Sequence, residues 1–322
     1  MLVLGSGGEG WIRTSVRLRG QIYSLLPLTT RPPLQARHEG LSCQLGHGAA
    51  LLKVSDVASY CVTGGSEIVV QPEAGAAEQN IRLFLLGSAM GLVLHQRRLL
   101  PLHANAVEIR GKAVAFMGAS GEGKSSLAAW FHDHHFQIIA DDVCVVRFGS
   151  GGQPVASPGV PRLRLSKEVL EATGRQAADY ERSYAGDEGF EKYDVPVAAY
   201  AVATDELQLG AVYLLGRGKQ FLIQQLHGVG AVEAVIANTY RGSFISVVGD
   251  ARAHFEACLK LVDRTPVFEV FWTWDFPATR KRCARFLLTQ RELSDRRQGR
   301  LLRTSVRFPE DSVRFRRRIC RS

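Results

Sequence analysis

The chain has 322 residues, of which 46% are hydrophobic and 22% charged, with a formal net charge of +9. These proportions are ordinary for a soluble globular protein. The longest apolar run, residues 83–94, is too short to cross a bilayer, so it predicts a buried helix. The start of the chain, MLVLGSGGEGWIRTSVRLRG, lacks a charged leader followed by a long apolar core, so no secretory signal is expected.

The cysteines and the distribution of charge argue against two further classes of protein. The six cysteines are scattered without a CxxC pair, which fits neither a zinc framework nor a disulfide scaffold and favours a reducing cytoplasm. Residues 293–322 hold ten arginines against three acids, a net of +7, which leaves about +2 for the rest of the chain. We therefore expect a basic, disordered tail at 293–322 and no nucleic-acid-binding domain.

The first part of the chain predicts strands followed by one long helix. Short apolar runs punctuated by glycine and proline indicate a small β-rich region over residues 1–81. Residues 71–98 are acidic at the start and end in His95, Arg97 and Arg98, a charge order that suits a helix dipole. HANAVEI and KAVAFMG then predict two strands joined by a tight turn at Arg110-Gly111.

The remainder alternates strands and helices. A glycine loop, a helix from Lys124 to about His134 and a strand through QIIADDVCVVRF come first. Later segments predict a strand and a short helix ending at Gly174, a mobile polar loop at 179–194, strands at VPVAAYAVA, LGAVYLLG, FLIQQL and VFEVFW, and helices near 230–240, 250–262 and 277–291. This order predicts an α/β fold with a mixed sheet, and a catalytic domain over residues 82–292.

The segment GASGEGKS, residues 118–125, fits the phosphate-binding pattern G-x-x-x-x-G-K-[ST] between a strand and a helix. Its glycines let successive backbone N–H groups turn towards phosphate oxygens, and the following helix directs its positive end to the same place. Lys124 can reach the β- and γ-phosphates, and the Ser125 hydroxyl can bind Mg²⁺. The alternative is a chance glycine loop. The predicted ATP-binding residues are Gly118, Ala119, Ser120, Gly121, Glu122, Gly123, Lys124, Ser125 and Ser126.

Two adjacent carboxylates, Asp141 and Asp142, follow the short strand QIIA beside this loop. Adjacent residues on a strand point to opposite faces, so the two are expected to have different roles. One can face Mg²⁺ while the other accepts the proton of the hydroxyl that is phosphorylated. The alternative is a solvated pair of turn residues.

The segment LPLHANAVEIRGKAVAFMGASGEGKSSLAAWFHDHHFQIIADDVCVVRF resembles the catalytic core of the HPr kinase/phosphorylase family. The resemblance is closest to short relatives, some of which accompany lasso-peptide biosynthesis and phosphorylate a precursor peptide on serine. It implies a P-loop kinase core with a mixed sheet, of the HPr kinase/PEP carboxykinase-like type. It also implies that Asp142 is the proton acceptor, which leaves Asp141 to the metal, and that His103 is the histidine before the loop. The likeness covers residues 83–146 and continues more weakly to about 288.

The implied activity is that of an ATP- and Mg²⁺-dependent serine kinase acting on a protein or peptide, with the C-terminal serine of a lasso precursor as one option. The family's glycine-rich segment with a Mg²⁺-binding glutamate has no clear equivalent in SPGVPRLRLSKE, where Glu168 is a weak candidate. PGVPRLRL, EKY and NTYR match the short relatives better. In the last two, Lys192 and Arg241 are candidates to neutralise charge, with plain surface cations as the alternative.

The histidines divide into two groups. His132, His134 and His135 lie at a predicted helix end without further ligands at metal-site spacing, so no zinc site is expected there. His103 can bind phosphate or orient the acceptor, or it can be structural.

The expected partner is a protein or peptide carrying an acceptor serine, without nucleic acid or membrane, in the cytoplasm, and a homo-oligomer is left open. The alternative functions are a P-loop ATPase or regulatory module without a protein acceptor, and a scaffold that only retains a nucleotide.

Overall fold

The computed structural model describes residues 48–186, 191–198 and 201–272, together with the backbone of five strands between residues 3 and 46. The five strands are β1 (Val3–Gly7), β2 (Trp11–Leu18), β3 (Gln21–Tyr23), β4 (Gln35–His38) and β5 (Leu41–Gly46). The first three form an antiparallel sheet, whereas β4 and β5 begin a second one. The predicted tail at 293–322 and the predicted helix at 277–291 lie outside the described residues.

The second sheet continues through three further strands and packs against a helix. These strands are β6 (Ala49–Val54), β7 (Ala58–Thr63) and β8 (Glu67–Pro72), paired antiparallel in the order β4-β5-β6-β7-β8. Alternating side chains on them are buried, among them Leu52 and Tyr60, and these contact Leu92 and Val93 of the following helix. Every described element before residue 73 is thus a strand, as predicted, while the domain limits at 81 and 292 stay a prediction.

The long helix predicted over residues 71–98 is present, but it begins only at Glu78, since residues 71–72 belong to β8, and it has a wider turn in its middle. It consists of α1 (Glu78–Phe84), a π-helical turn (Leu85–Ala89) and α2 (Met90–Gln96). Gly87 and Gly91 leave space for Tyr240: a Cβ on Gly87 would lie 3.1 Å from the Tyr240 hydroxyl, and one on Gly91 would lie 3.2 Å from its ring. Two glycines one helical turn apart therefore allow Tyr240 to pack closely against the helix.

The rest of the described chain alternates strands and helices. In chain order these elements are β9 (Leu100–Leu102), β10 (Ala104–Ile109), β11 (Lys112–Met117), α3 (Lys124–Asp133), β12 (Ile138–Ala140), β13 (Cys144–Phe148), β14 (Pro154–Ser157), β15 (Arg162–Ser166), α4 (Lys167–Ala172), β16 (Glu181–Arg182), β17 (Lys192–Pro196), β18 (Leu207–Arg217), β19 (Leu222–Leu226), α5 (Gly228–Ala237), α6 (Ile245–Val248), α7 (Ala251–Arg264) and β20 (Val267–Trp272). Short 3₁₀ turns lie at Ser150–Gly152, Ala177–Asp179 and Gly242–Phe244.

Nine of these strands form one mixed sheet, which confirms the predicted α/β class. The order is β12-β10-β11-β18-β14-β13-β9, with β20 paired to β18 and β19 paired to β20. The pairs β11–β18 and β18–β20 are parallel, and the other described pairs in this sheet are antiparallel. The predicted hairpin between β10 and β11 is confirmed: Arg110 and Gly111 both have left-handed φ angles, 56° and 72°, as a tight hairpin turn requires.

Both faces of this sheet are buried. On one face, α3 packs with stacked rings of Phe116, Phe131, Tyr213 and Phe268. A small antiparallel sheet, in the order β15-β17-β16, adds its buried leucines and valines to the same core. On the other face, α5 and α7 contribute the side chains of Val232, Val235, Cys258 and Leu261. The sheet is therefore a well-packed support for the loops that follow its strands.

Three sequence expectations differ from the structure. The strand through QIIADDVCVVRF is interrupted at Asp142, whose φ angle is +70°, so β12 pairs with β10 whereas β13 pairs with β9 and β14. The expected loop at 179–194 contains β16 and the start of β17. Of the segment VPVAAYAVA, Val195 and Pro196 belong to β17, and the described residues 197–198 lie beyond the end of that strand. Within the part of the chain that the structure describes, every helix is too short or too polar to span a bilayer.

Replacing Phe131 by alanine should strongly destabilise the fold. The side chain is fully buried and its ring lies 5.7 Å from that of Phe116 and 5.1 Å from that of Phe136. We expect Phe131→Ala to lower the free energy of unfolding by about 3–5 kcal/mol, measured by urea denaturation. Val229→Ala, at a side chain that is 72% exposed on α5, should change it by less than about 0.5 kcal/mol. Equal effects would contradict this description of the core.

Candidate active site

The predicted phosphate-binding loop connects the end of β11 to the start of α3. Gly118, Gly121 and Gly123 have φ angles of 144°, 87° and 92°, which favour glycine. A Cβ on Gly118 would also lie 2.8 Å from the carbonyl oxygen of Leu215 in β18, so the loop passes too close to the neighbouring strand for any side chain. The predicted order of strand, glycine loop and helix is therefore observed, and phosphate binding stays a prediction.

Lys124 begins α3 and is folded onto the loop. Its Nζ donates hydrogen bonds to the carbonyl oxygens of Gly118, at 2.5 Å, and Ala119, at 3.0 Å. Burial lowers the pKa of Lys124, and the negative charge of Asp142 partly offsets that effect. Both accepting carbonyls belong to the loop, so the ammonium group is held directly against it. Of the two serines that follow, Ser125 is half-buried and Ser126 is buried.

The two aspartates lie in the bend after β12. The backbone N–H of Asp142 donates to the side-chain oxygen of Asn105, at 3.1 Å, and this bond supports its left-handed conformation. The Nδ1 atom of His103 is 3.1 Å from the Asp142 carbonyl oxygen and 3.5 Å from its carboxylate. The fold therefore brings together Asn105 of β10, His103 between β9 and β10, and Asp142 in the bend. His103 and Asp142 are the pair that the sequence predicted.

Arg164 on β15 contacts both aspartates. Its guanidinium donates to the Asp142 carboxylate at 3.0 Å, while its backbone N–H donates to the Asp141 carboxylate at 2.7 Å. The expectation that the two carboxylates face opposite ways rested on a continuous strand. Because the chain bends at this point instead, both carboxylates reach the same residue, although through different groups of it.

The environments of the two carboxylates nevertheless move their pKa values apart. Burial, followed by the charge of Asp142, raises the pKa of Asp141 to about 7. Burial also acts to raise the pKa of Asp142, but the positive charges of Arg164 and the nearby lysines, together with that of His103 when it is protonated, outweigh it, and the net shift is downward. Burial and the charge of Lys124 lower the pKa of His103. At neutral pH, Asp142 is therefore ionised beside an imidazole that is mainly neutral.

A cleft of about 690 Å³ opens between the loop and the long helix. Seven of the residues singled out in the sequence line it: His103, Gly118, Ala119, Ser120, Asp142, Lys192 and Arg241. The opposite wall is largely apolar and comes from the α1 end, the π-helical turn, Tyr184 and Tyr240. Cations, an ionised carboxylate and the loop thus meet in one space.

Several residues of the site were not predicted. Arg164, Asn105 and Tyr240 were missed, although RLRL already places two arginines on one face of a strand. Asp194, which pairs across the sheet with Arg164, forms a close ion pair with Arg162 and accepts a hydrogen bond of 2.6 Å from Ser183. This network holds the β15–β17 hairpin, and with it Arg164, against the aspartates.

Other candidates lie elsewhere. Glu168 is exposed on α4 and is not part of the cleft lining. Of the histidines after α3, His134 stacks on Trp130 with ring centres 3.8 Å apart, and His132 approaches Asp133, at 3.4 Å. Asp133 itself forms a two-point ion pair with Arg175 and is more than a solvated surface charge.

One of the two residues predicted to hold Mg²⁺, Asp141, passes one test. One carboxylate oxygen of Asp141 is buried and has no hydrogen-bond partner among the described residues, as expected of an oxygen that would bind a cation or a proton. In the described ranges no group of three or more His, Cys, Asp or Glu side chains is arranged to hold a metal ion. A Mg²⁺ ion bound through one carboxylate, a hydroxyl and nucleotide phosphates does not need such a group.

Comparison with known proteins gives little. No protein-family model matches the chain, and no curated protein matches it in sequence. Among solved structures, the chain is similar to the Hpr(Ser) kinase/phosphatase from Coxiella burnetii, with 12% sequence identity and a TM-score of 0.35, over 62% of this chain and 94% of that one. A similarity this low decides nothing about activity, so we take the function from the geometry of the site.

Asp141→Asn should stabilise the protein at high pH. The pKa of Asp141 is about 7 in the folded chain against 3.8 for a free side chain, so stability is lost as pH rises between these values. Asparagine resembles the protonated acid and can still accept the Arg164 N–H bond. Without added metal, we expect the variant to exceed the wild type by about 1–3 kcal/mol at pH 8 and by clearly less at pH 5, by urea denaturation.

The control is Asp263→Asn, at a side chain that is 72% exposed. It should show no such dependence on pH. If Asp141→Asn gave the same difference at both pH values, Asp141 would not be the group that titrates.

Proposed function

We propose that this protein is an ATP- and Mg²⁺-dependent phosphotransferase that phosphorylates a serine in a protein or peptide. The observation that carries the proposal is the position of Asp142. It is ionised, lies in the cleft lined by the phosphate-loop residues Gly118–Ser120, and is held by Arg164 and His103. A carboxylate in that place suits the removal of a proton from a hydroxyl that attacks the terminal phosphate.

The loop and Lys124 would bind the nucleotide phosphates. The N–H groups at the start of α3 favour anions, and the Lys124 ammonium exchanges its two carbonyl partners for phosphate oxygens. Ser125 and the buried oxygen of Asp141 are the groups that would hold Mg²⁺, which supplies charge neutralisation when bound. A cation there would also remove the cost of ionising Asp141.

In the transfer step, the serine oxygen forms a bond to the terminal phosphorus while the bond to the leaving ADP oxygen breaks. The proton of the serine hydroxyl passes to the carboxylate of Asp142. His103 contacts this carboxylate and orients it. Lys192 and Arg241 line the same cleft and would neutralise charge on the transferred group. A pKa below the usual range makes Asp142 a weak base, which suffices where the phosphoryl group is transferred through a loose transition state.

A protein or peptide acceptor fits the cleft better than water alone. The wall opposite the loop is apolar and aromatic, with Phe84 and Tyr184 in an edge-to-face contact at 6.4 Å. Such a wall has no use in simple hydrolysis but suits a side chain next to the acceptor serine. The C-terminal serine of a lasso precursor peptide is the first acceptor to try.

The full chain should transfer labelled phosphate from ATP to serine peptides. Candidates are the small peptides encoded by neighbouring genes, beginning with any that ends in serine. Asp142→Asn should lower transfer by about 10²–10⁴-fold, with nucleotide affinity nearly kept, because the proton acceptor is removed. Asp205→Asn, at an exposed position, is the matched control. If only free phosphate forms, at equal rates with and without peptides, the protein is an ATPase. If the Asp142→Asn substitution had no effect on activity, the protein would be a scaffold that only retains a nucleotide.

Arg164→Gln should move the acidic limb of the pH–rate profile. Arg164 is the largest favourable influence on ionised Asp142, so its loss raises the pKa of that carboxyl. Protonation then removes the base at a higher pH. In the pH profile of the peptide phosphorylation rate, we expect the midpoint of the acidic limb to move to a pH about one unit higher. A profile that loses height but keeps its acidic midpoint would show that Arg164 acts on something other than Asp142.

A further inference from the structure

An exposed arginine, Arg217, lies beside the phosphate loop but outside the cleft. In the parallel strands β11 and β18, Met117 lies opposite Leu214. Arg217 follows Leu214 by three residues, just as Ser120 in the loop follows Met117, so both lie at the same edge of the sheet. The guanidinium is close to the loop tip: its Nη2 atom would lie 3.5 Å from a Cβ on Gly121. The cleft itself is lined by the first three residues of the same loop, Gly118–Ser120, and not by Arg217. Arg217 therefore lies next to a part of the loop, Gly121, that is not in the cleft lining.

Glu122, within the loop, holds this arginine weakly. The Arg217 Nε atom is 3.5 Å from one Glu122 carboxylate oxygen, and the Arg217 side chain is 68% exposed. An exposed ion pair of this length contributes little to stability. The second oxygen of Glu122 is buried and has no hydrogen-bond partner in the described ranges. The Arg217–Glu122 ion pair therefore leaves one carboxylate oxygen without a partner among the described residues. The negative charge of Glu122 also repels an anion that binds to the loop.

We infer that Arg217 is a further nucleotide-binding residue, which leaves Glu122 and binds the α-phosphate of the nucleotide held by the loop. The inference rests on the proposed function only in that a nucleotide occupies the loop. The terminal phosphate must face Asp142 in the cleft, so the nucleoside end extends away from the cleft, past Gly121 and Glu122. A planar guanidinium with several N–H donors is well suited to phosphate oxygens.

The test is calorimetric titration of the full chain with ATP and with ADP. Arg217→Ala should raise the Kd of both nucleotides roughly tenfold and by the same factor, because the α-phosphate is common to them. Lys219→Ala, which removes an exposed cation two residues away, should leave both values within about twofold. Glu122→Gln should bind both nucleotides at least as tightly as the wild type, since it removes a competing carboxylate.

Each outcome decides the question. The inference is wrong if Arg217→Ala binds like Lys219→Ala, and its placement is wrong if only ATP binding weakens. If the wild type binds neither nucleotide, the proposed function fails with it. If the wild type binds both and Arg217→Ala is unchanged, only this inference fails. Thermal unfolding without nucleotide should give the same midpoint for wild type and Arg217→Ala, which separates lost binding from lost folding.

Discussion

The contact of Arg164 with two adjacent aspartates is the interaction on which the site depends. Carboxylates next to each other repel, and burial makes the repulsion worse. Arg164 offsets this repulsion through two different groups. Its guanidinium charge stabilises ionised Asp142, and its backbone N–H donates a hydrogen bond to Asp141. One residue thereby keeps the pair in place and separates its protonation behaviour. The ion pairs and hydrogen bonds around Asp194 hold the strand that carries Arg164.

The site also stores unfavourable local structure. Asp142 has a left-handed backbone, which a non-glycine residue adopts only with support, here from Asn105. Asp141 is ionised at neutral pH only at a cost, and one of its oxygens has no partner in the described ranges. Unfavourable features of this kind persist where the surrounding core is strong enough to hold them, and the nine-stranded sheet, buried on both faces, is such a core. Their relief by a cation and a phosphate is consistent with the proposed chemistry.

The wall opposite the loop depends on close packing between distant segments. Tyr240 fits against the π-helical turn because Gly87 and Gly91 have no side chains, and its carbonyl oxygen lies 2.9 Å from the buried His95 ring. The segment from Asn238 to Arg241 is further tied to the strand before the site by bonds from His103 N–H to Asn238 and from Tyr240 N–H to Pro101. The long helix, the end of α5 and the site therefore form one connected unit.

The sequence by itself determined the local features of this protein. The spacing of glycines and lysine in GASGEGKS, the hairpin at Arg110-Gly111 and the apolar periodicity of the strands are all short-range, so they could be recognised without a fold. They also gave the α/β class and the position of Asp142 beside the loop. The tertiary structure alone decided that Arg164 joins both aspartates, that Tyr240 lines the cleft and that Arg217 lies beside the loop. Each of these contacts depends on pairing between strands and helices far apart in the chain, and the pattern within one short segment does not specify which distant segment it will meet.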